Sequence, residues 1–219
     1  MKLTTKFFNR DPEVMAKALL GKVLRRKYKN IWLSVMIIET ECYYLHDKAS
    51  HSSLGYTEKR KALFMPGGTL YMYYAHGKSS MNISAKGKGN AVLVKAGIPY
   101  LDGPNQAKML AFMHLLNPSN QQNKPRHPHK LASGQTLLCK SLHLQVKDWD
   151  QKTFDPQEFY VEDVGYRPKK IIKTKRLGIP VGRDEHLLYR FIDFDYTKFC
   201  TNNPLTKRLY QPGKDYIIL

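Results

Sequence analysis

Two glutamates end an apolar segment and are the residues of this chain best placed to do chemistry. Residues 36–44 read Met-Ile-Ile-Glu-Thr-Glu-Cys-Tyr-Tyr, so Glu39, Glu41 and Tyr43 alternate along a predicted strand. Because side chains alternate across a strand, these three point to one face. Carboxylates this close can couple, which would raise the pKa of one of them and make it a general base near neutral pH. We assign that role to Glu41 and a structural role to Glu39; an ordinary solvated strand end is the alternative.

Aromatic residues near these acids could form a pocket for a flat ligand. The set comprises Tyr43, Tyr44, His51, Tyr71, Tyr73 and Tyr74. Tyr71 and Tyr73 share one face of a predicted strand, and Tyr74 takes the other. A pocket for a flat, electron-poor base needs rings above and below it. Core packing would explain any single tyrosine equally well, and only the whole set beside an acid favours a pocket.

The charge of the chain points to an anionic partner. Among 219 residues there are 36 Lys and Arg against 18 Asp and Glu, a formal net charge of +18. Such a surface attracts polyanions, foremost nucleic acid, because phosphate neutralisation releases counterions. Solubility alone is the alternative. The segment 167–176 holds six cations in ten residues and resembles a phosphate-binding surface, although such a run is also usual on a solvated face.

Several classes of protein are disfavoured by what the sequence lacks. Its three cysteines are far apart and odd in number, so we expect neither a disulfide framework nor a zinc site, and a reducing, intracellular compartment. No apolar run approaches the roughly 20 residues of a membrane helix, and the N-terminus lacks the apolar core of a signal peptide. Histidines at 114, 127, 129 and 143 have no nearby cysteines or acids at ligand spacing, so no metal is expected.

The elements that position these residues predict an α+β protein. Asp11-Pro12-Glu13 predicts a helix start, with Val14, Ala18 and Leu20 as the apolar face and Gly21 as the end. Predicted strands are mostly adjacent in sequence and cover residues 23–26, 31–41, 69–75, 81–84, 91–95, 159–162, 170–175 and 187–193. Further helices are predicted over residues 103–116 and 134–143.

This pattern favours a single domain over residues 1–219. We expect a curved, mainly antiparallel sheet with flanking helices, because a parallel doubly wound sheet would need alternating strands and helices. Residues 76–80 turn a protruding β-hairpin with a small, basic tip. Residues 117–130 are polar and broken by prolines, which predicts a surface loop.

The order and spacing of several motifs resemble the alkyladenine (3-methyladenine) DNA glycosylase family. The motifs are Glu39-Thr-Glu-Cys-Tyr43, Ala49-Ser-His-Ser52, Phe64-Met65 with Gly68-Thr-Leu-Tyr-Met-Tyr73, and Met81-Asn-Ile-Ser84. The resemblance extends to residues 91–96 and, more weakly, to 176–179 and the last strand, so it covers most of the chain. It implies a monofunctional enzyme, without metal or organic cofactor, that acts as a monomer on double-stranded DNA. Such an enzyme flips an alkylated or deaminated purine, such as 3-methyladenine or hypoxanthine, out of the duplex. It hydrolyses the N-glycosidic bond with an activated water and leaves an abasic site.

The resemblance also implies roles for individual residues at the reaction centre. Glu41 falls on the general base, and the carbonyl of Leu177 falls on a group that holds the water. Lys95 stands beside that water, where the family usually has arginine. The base pocket falls on Tyr43, Ala49, His51, Tyr73 and Asn82. Of these, Asn82 excludes the 2-amino group of guanine, and backbone groups of Ala49 and His51 read the purine edge.

Contacts to the rest of the DNA are implied in the same way. His76, at the hairpin tip, falls where the family inserts a bulky aromatic, usually tyrosine, into the gap left by the flipped nucleotide. Apart from the resemblance, Lys78, Lys86 and Lys88 are assigned to the DNA backbone because they carry basic charge in or beside turns. Residues 133–136 only loosely match the family's phosphate-binding helix start.

Two other classes of function and one variant chemistry stay open. His76 and Lys95 depart from the family pattern, which would fit a protein that binds damaged DNA without turnover. Glu39 and Glu41 could instead serve a metal-dependent nuclease, although no further acids cluster near them. Lys95 could form a Schiff base with the sugar and give lyase activity, but a protonated lysine near Glu41 is a poor nucleophile.

Overall fold

The computed structural model of this chain describes residues 1–119, 124–207 and 210–219. In these residues nine strands form one sheet: β1 (Val23–Tyr28), β2 (Ile31–Tyr43), β3 (Leu70–Ala75), β4 (Lys78–Ser84), β5 (Ala91–Pro99), β6 (Phe159–Glu162), β7 (Ile171–Thr174), β8 (Arg190–Asp193) and β9 (Tyr216–Ile218). The α-helices are α1 (Thr5–Phe8), α2 (Pro12–Leu19), α3 (Gln106–Leu116), α4 (Gln135–Ser141) and α5 (Val146–Trp149). Short 3₁₀ helices cover His51–Leu54, Glu58–Phe64, Pro128–Lys130 and Phe194–Phe199. The α+β architecture predicted from the sequence is confirmed.

Strand β2 is the centre of the sheet, whose order is β3-β4-β5-β2-β8-β7-β9 with antiparallel neighbours. One edge of β2 pairs with β5 along most of its length. The other edge pairs first with β1 and then, at residues 39–41, with β8. Strand β6 extends the sheet from β1. Apart from Trp32 and Tyr43 every residue of β2 is buried, as its continuous apolar run predicted.

Helix α2 begins where the sequence predicted. The Asp11 carboxylate accepts hydrogen bonds from the backbone N–H of Glu13 at 2.9 Å and of Val14 at 3.3 Å, and Pro12 occupies the first turn. A capping carboxylate of this kind satisfies N–H groups that have no partner inside the helix. The helix therefore starts for local reasons.

The buried face of α2 differs from the predicted one. Met15, Ala16 and Leu19 are fully buried, whereas Val14 is 49% exposed and Ala18 is half-buried. The prediction of Val14 and Ala18 as the apolar face was wrong. Packing against β2 decides the rotation of the helix, and Thr40 donates a hydrogen bond to the carbonyl of Ala16 at 2.9 Å across that contact.

The β3–β4 hairpin turns in two residues, three residues sooner than predicted. Ala75 pairs with Lys78, and the turn residues His76 and Gly77 have φ angles of 49° and 73°. Two positive φ angles are typical of the type I′ turn, which matches the twist of the strands it joins. Both turn residues are exposed, so the imidazole stands at the tip of the hairpin.

The polar loop predicted over residues 117–130 lies partly outside the described residues, since 120–123 are not described. At its start Asn117 is buried, and its side-chain amide donates to the carbonyl of Leu131 at 2.8 Å. Its last residues form the 3₁₀ turn at 128–130. Among the described residues no helix is long and apolar enough to cross a membrane.

Candidate active site

Strand register places the predicted catalytic glutamate in a row of residues that crosses five strands. Tyr71 pairs with Asn82, Asn82 with Leu93, Leu93 with Glu41, and Glu41 with Arg190. Paired residues of adjacent strands share one face of a sheet. The row therefore brings residues from β3, β4, β5, β2 and β8 together, although they are distant in sequence.

A bulge adds Lys95 to this face. In the β2–β5 ladder Thr40 pairs with Val94 but Glu39 pairs with Ala96, so Lys95 is the extra residue between them. Bulges re-aim a side chain beside a site while the strand continues. The Lys95 ammonium lies 3.2 Å from Oε1 of Glu41, and its side chain is 14% exposed.

A cavity of about 560 Å³ opens above this row. Eight of the residues predicted for catalysis, base binding or intercalation line it: Tyr43, Ala49, His51, Tyr73, His76, Asn82, Lys95 and Leu177. Glu41 is fully buried directly beneath, in contact with Tyr43 and Lys95. Other lining residues were not predicted: Ser50, Leu54, Leu63, Ala75, Ala91, Leu93, Gln135, Gly178, Ile179, Pro180 and Arg183. Most are small or apolar, and no local pattern marks them as lining residues.

One side of the cavity is built from three interlocking rings. Tyr71 and Tyr73 stack with their centroids 5.7 Å apart, and the ring of His51 meets Tyr73 edge-on at 4.6 Å. His51 Nδ1 hydrogen-bonds the Tyr71 hydroxyl at 2.9 Å. Burial, together with the charges of Arg60 and Arg183, lowers the pKa of His51, so its imidazole is neutral at pH 7. Burial raises the pKa of Tyr71 to about 12. This wall is thus uncharged and rich in π-electrons.

Two tyrosines of the predicted aromatic set lie elsewhere. Tyr44 donates to the carboxylate of Asp11 at 3.0 Å and packs on Tyr189, and Tyr74 is 61% exposed on the outside of the hairpin. Neither lines the cavity, so the prediction was wrong for both. Tyr43 is the last residue of β2, and the chain leaves the strand at Tyr44, whose side chain lies away from the cavity.

The electrostatics of Glu41 differ from the prediction. Burial by itself raises the pKa of its carboxyl, but Lys95, the hydroxyl of Tyr43 and Arg190 together hold the pKa below the ordinary value. Tyr43 donates to Oε2 at 2.6 Å. The expectation that coupling to Glu39 would raise the pKa of Glu41 was wrong, because Lys95, Arg190 and the Tyr43 hydroxyl outweigh the effect of burial. Glu41 is ionised at neutral pH.

Replacing Tyr43 with Phe should move the acid limb of any reaction that needs ionised Glu41. Activity is lost as pH falls through the Glu41 pKa, and the Tyr43 hydroxyl is one of the groups that lower it. Y43F should therefore have a higher Glu41 pKa, and its pH–rate profile should fall at a higher pH than that of the wild type. Tyr71→Phe is the matched control, since its hydroxyl contacts His51 rather than Glu41. Coincident acid limbs in Y43F and wild type would contradict this account.

Glu39 faces a different set of partners. Its Oε1 accepts from Arg190 Nε at 2.6 Å and from the Thr201 hydroxyl at 2.7 Å, while its Oε2 accepts from the backbone N–H of Thr201 at 2.9 Å. Arg190 also donates to the carbonyl of Asn202 at 2.8 Å. The side chains of Glu39 and Arg190 have no exposed surface. These contacts tie β2 and β8 to the segment after residue 200, as expected for a structural role.

Glu39→Gln should destabilise the fold by about 3–5 kcal/mol, because it leaves the buried Arg190 guanidinium without its counter-charge. Urea unfolding followed by circular dichroism measures this loss. Glu58→Gln provides the control, since that carboxylate is 77% exposed and its removal should change the unfolding free energy by no more than about 0.5 kcal/mol. Equal midpoints for E39Q and wild type would show that the ion pair does not hold the sheet together.

The basic run at 167–176 is mostly neutralised within the fold. Arg167 pairs with Asp163 at 2.7 Å, Lys173 with Glu13 at 2.7 Å, and Lys175 with Asp215 at 2.7 Å. Arg176 pairs with Asp47 and is buried. For Arg176 the prediction of a phosphate-binding surface was wrong, because its side chain is buried. The other three have carboxylate partners, Asp163 from four residues earlier and Glu13 and Asp215 from distant segments, and their contact with phosphates stays a prediction.

The lysines assigned to the DNA backbone are placed differently. Lys78, Lys86 and Lys88 are all exposed. Lys88 lines a groove of about 640 Å³ together with Phe64, the neighbour of cavity residue Leu63. All three lie on the surface, Lys78 is two residues from cavity residue His76, and their contact with phosphates stays a prediction.

The three cysteines are reduced and buried. Cys42, Cys139 and Cys200 are buried free thiols. In the described ranges no group of three or more His, Cys, Asp or Glu side chains is arranged to hold a metal ion.

A buried carboxylate beneath a ring-lined cavity, set on an antiparallel sheet beside an exposed hairpin, fits the class that sequence similarity shows, a DNA glycosylase, which is a hydrolase of DNA repair. The chain belongs to the methylpurine-DNA glycosylase family, whose sequence model matches residues 6–196. Like the family, it is monofunctional. This confirms the resemblance seen in the sequence motifs.

Curated relatives are similar in sequence to nearly the whole of this chain. A protein of Pseudomonas savastanoi pv. phaseolicola is 55% identical over 213 residues, which cover 97% of this chain and 95% of its own. A protein of Pseudomonas aeruginosa PAO1 is 55% identical, and the alignment covers 97% of this chain and 88% of that protein. A protein of Clostridium botulinum is 34% identical over 197 residues, which cover 87% of this chain and 95% of that protein. All three are provisionally named 3-methyladenine DNA glycosylases.

Proposed function

We propose that this protein flips alkylated or deaminated purines, such as 3-methyladenine and hypoxanthine, out of duplex DNA and hydrolyses their N-glycosidic bond. The observation that carries the proposal is the ionised, fully buried carboxylate of Glu41 beneath a cavity with an uncharged aromatic wall. A site of this form accepts a flat base above and stabilises positive charge on a sugar below.

The cavity suits a purine on three counts. Its volume of about 560 Å³ accommodates a nucleoside-sized group. The rings of Tyr43 and Tyr73 offer π-faces that attract the cationic base produced by alkylation. Asn82 projects from the row next to Leu93, where it would exclude the 2-amino group of guanine, and backbone groups of Ala49 and His51 would read the purine edge.

The chemistry follows from the two oxygens of Glu41. Oε2 is taken by Tyr43, while Oε1 faces Lys95 and, among the described residues, has no hydrogen-bond partner of good geometry. We place the attacking water at Oε1, with the carbonyl of Leu177 as its second acceptor. The C1′–N9 bond breaks with its electron pair going to the purine, the water oxygen bonds to C1′, and Glu41 accepts the released proton. The carboxylate also stabilises the oxocarbenium-like sugar.

Lys95 supports this arrangement as a cation. Its ammonium is paired with Glu41 at 3.2 Å, and an amine held in that way is a poor nucleophile toward the sugar. The pairing with Glu41 therefore favours hydrolysis over a Schiff-base lyase reaction. Unlike arginine, lysine has no forked guanidinium and so holds fewer partners at once.

The rest of the substrate would lie across the hairpin. His76, exposed in its two-residue turn, fills the gap in the base stack, and Lys78, Lys86 and Lys88 contact phosphates. The protein acts as a monomer inside the cell, with the genome as its partner.

A glycosylase assay in EDTA tests the proposal. Duplexes that carry an alkylated purine or hypoxanthine should release the free base and leave an intact strand that breaks only on alkali treatment. The absence of any released base, with tight and salt-sensitive binding, would instead show a damage-binding protein. Strand cleavage that disappears with EDTA would show a nuclease, and borohydride trapping of the protein on DNA would show a lyase.

A further inference from the structure

Arg176 is the cation of the 167–176 run that the fold encloses completely. Its guanidinium forms a forked pair with the carboxylate of Asp47, in which Nη2 lies 3.0 Å from Oδ1 and Nη1 contacts Oδ2. Neither side chain has exposed surface. Removing two charges from water is costly, and such a pair is weak evidence for stability. The pair is therefore of interest for the segments that it holds in place.

The guanidinium side of the pair contacts the wall of the cavity. Its central carbon lies 4.6 Å from the centroid of the Tyr43 ring and 5.4 Å from that of Tyr189. Nη1 also approaches the carbonyl of Cys42 at 3.4 Å. One face of Tyr43 is thus covered by a planar cation, which leaves its other face for the cavity. Leu177, whose carbonyl we assign to the water, follows Arg176 directly in the chain.

The carboxylate side of the pair holds a second wall. Asp47 Oδ1 accepts from the backbone N–H of Ala49 at 2.9 Å, and its own carbonyl accepts from the N–H of Ser50 at 2.8 Å. These bonds shape the turn that leads into the 3₁₀ helix at His51. Segments 47–51 and 176–177 are more than 120 residues apart in sequence, and this ion pair joins them.

We infer that Arg176 and Asp47 are positioning residues, which hold the Tyr43 ring, the Ala49–His51 wall and the Leu177 carbonyl in one arrangement for base binding and hydrolysis. This inference depends on the proposed function for its chemical readout. Neither residue touches the reacting atoms. A displacement of about 1 Å in a positioned group is enough to reduce a rate by about a hundredfold.

Arg176→Lys tests the pair, since it keeps the charge but loses the fork and the flat face that stacks on Tyr43. We expect the single-turnover rate of base release to fall about tenfold or more. The Kd for undamaged duplex, which needs only the outer surface, should stay within about twofold. A fluorescent adenine analogue in the duplex should also show weaker quenching on binding, because the flipped base is held less firmly; this readout does not require hydrolysis.

Arg25→Lys is the matched control. Arg25 forms the same kind of forked bridge, with Asp102 at 2.6 and 2.5 Å, and bonds Ser34. Ser34 lies seven residues before Glu41 on β2, about 23 Å away at the usual rise per residue. R25K should lose thermal stability and keep the wild-type excision rate and quenching, measured well below its melting temperature.

Asp47→Asn gives a second, milder variant if R176K does not fold. Asparagine keeps an acceptor for the Ala49 N–H and loses the charge, so release should slow about threefold to tenfold with the affinity for undamaged duplex unchanged. The inference is overturned if the folded variants, like R25K, melt earlier but release base and quench as the wild type does. A wild type that quenches the analogue but releases no base would overturn the proposed function alone.

Discussion

Glu41→Gln is expected to reduce the single-turnover rate of base release by about 10²–10⁴-fold, the usual contribution of a positioned general base. Glutamine keeps the size of the side chain but has no negative charge, so it neither takes a proton from water nor stabilises an oxocarbenium-like sugar. The amide oxygen can accept from Lys95 while the amide NH2 group donates to the Tyr43 hydroxyl, so the floor of the cavity keeps its shape. Affinity for duplex that contains the lesion should therefore change only a few-fold.

Glu39→Gln provides the sharpest comparison for this result. Both substitutions remove one buried carboxylate from β2, two residues apart. E39Q leaves the Arg190 guanidinium with no exposed surface, whereas E41Q leaves Lys95, which is 14% exposed at the cavity and can meet water. The two should have opposite effects. E39Q should lose stability but release base within about tenfold of the wild-type rate at temperatures where it is folded, whereas E41Q should keep most stability and lose the reaction. Release by E41Q at the wild-type rate would refute the role given to Glu41.

His76→Ala has the second large expected effect, a decrease of about 10- to 100-fold in the single-turnover rate. Extruding a base costs a few kcal/mol, and a flat ring inserted into the stack recovers part of this cost. Alanine at the hairpin tip has no ring to insert. Because His76 is exposed in the folded protein, the melting temperature should not change.

Two variants of the same hairpin make this result specific. Tyr74→Ala removes a ring that is also exposed, but from outside the cavity, and should leave the rate near that of the wild type. His76→Tyr restores the residue usual in the family and should match or exceed the wild type. Equal rates for H76A and wild type would show that the tip contacts only phosphate.

The combined pattern of these variants separates chemistry from architecture. A lower release rate in E41Q would report on bond cleavage, and one in H76A on extrusion of the base. A lower release rate in R176K would report on the position of the cavity walls. A loss of stability in E39Q or R25K would report on contacts that hold the sheet together. These outcomes use different measurements, so one failed assignment does not remove the others.

Much of the site was predictable because its residues lie in short, contiguous motifs. Alternation along β2 and β3 fixed the side on which Glu41, Tyr43, Tyr71 and Tyr73 face, and both strands were predicted from their apolar and aromatic composition. The α+β architecture followed from strands that are adjacent in sequence. The predicted apolar face of α2 was wrong, because packing against β2 sets the rotation of this eight-residue helix.

Only the tertiary structure decided the electrostatics. The alternation of residues 39–43 predicted two coupled acids, but the fold gives each glutamate its own cation: Lys95 at a bulge of β5 for Glu41, and Arg190 of β8 for Glu39. Four cations of the basic run at 167–176 likewise meet carboxylates, three of which come from distant segments. Local sequence determines which side chains share a face, because backbone geometry is periodic. It does not determine a pKa or a free charge, since these depend on groups within a few ångströms that come from anywhere in the chain.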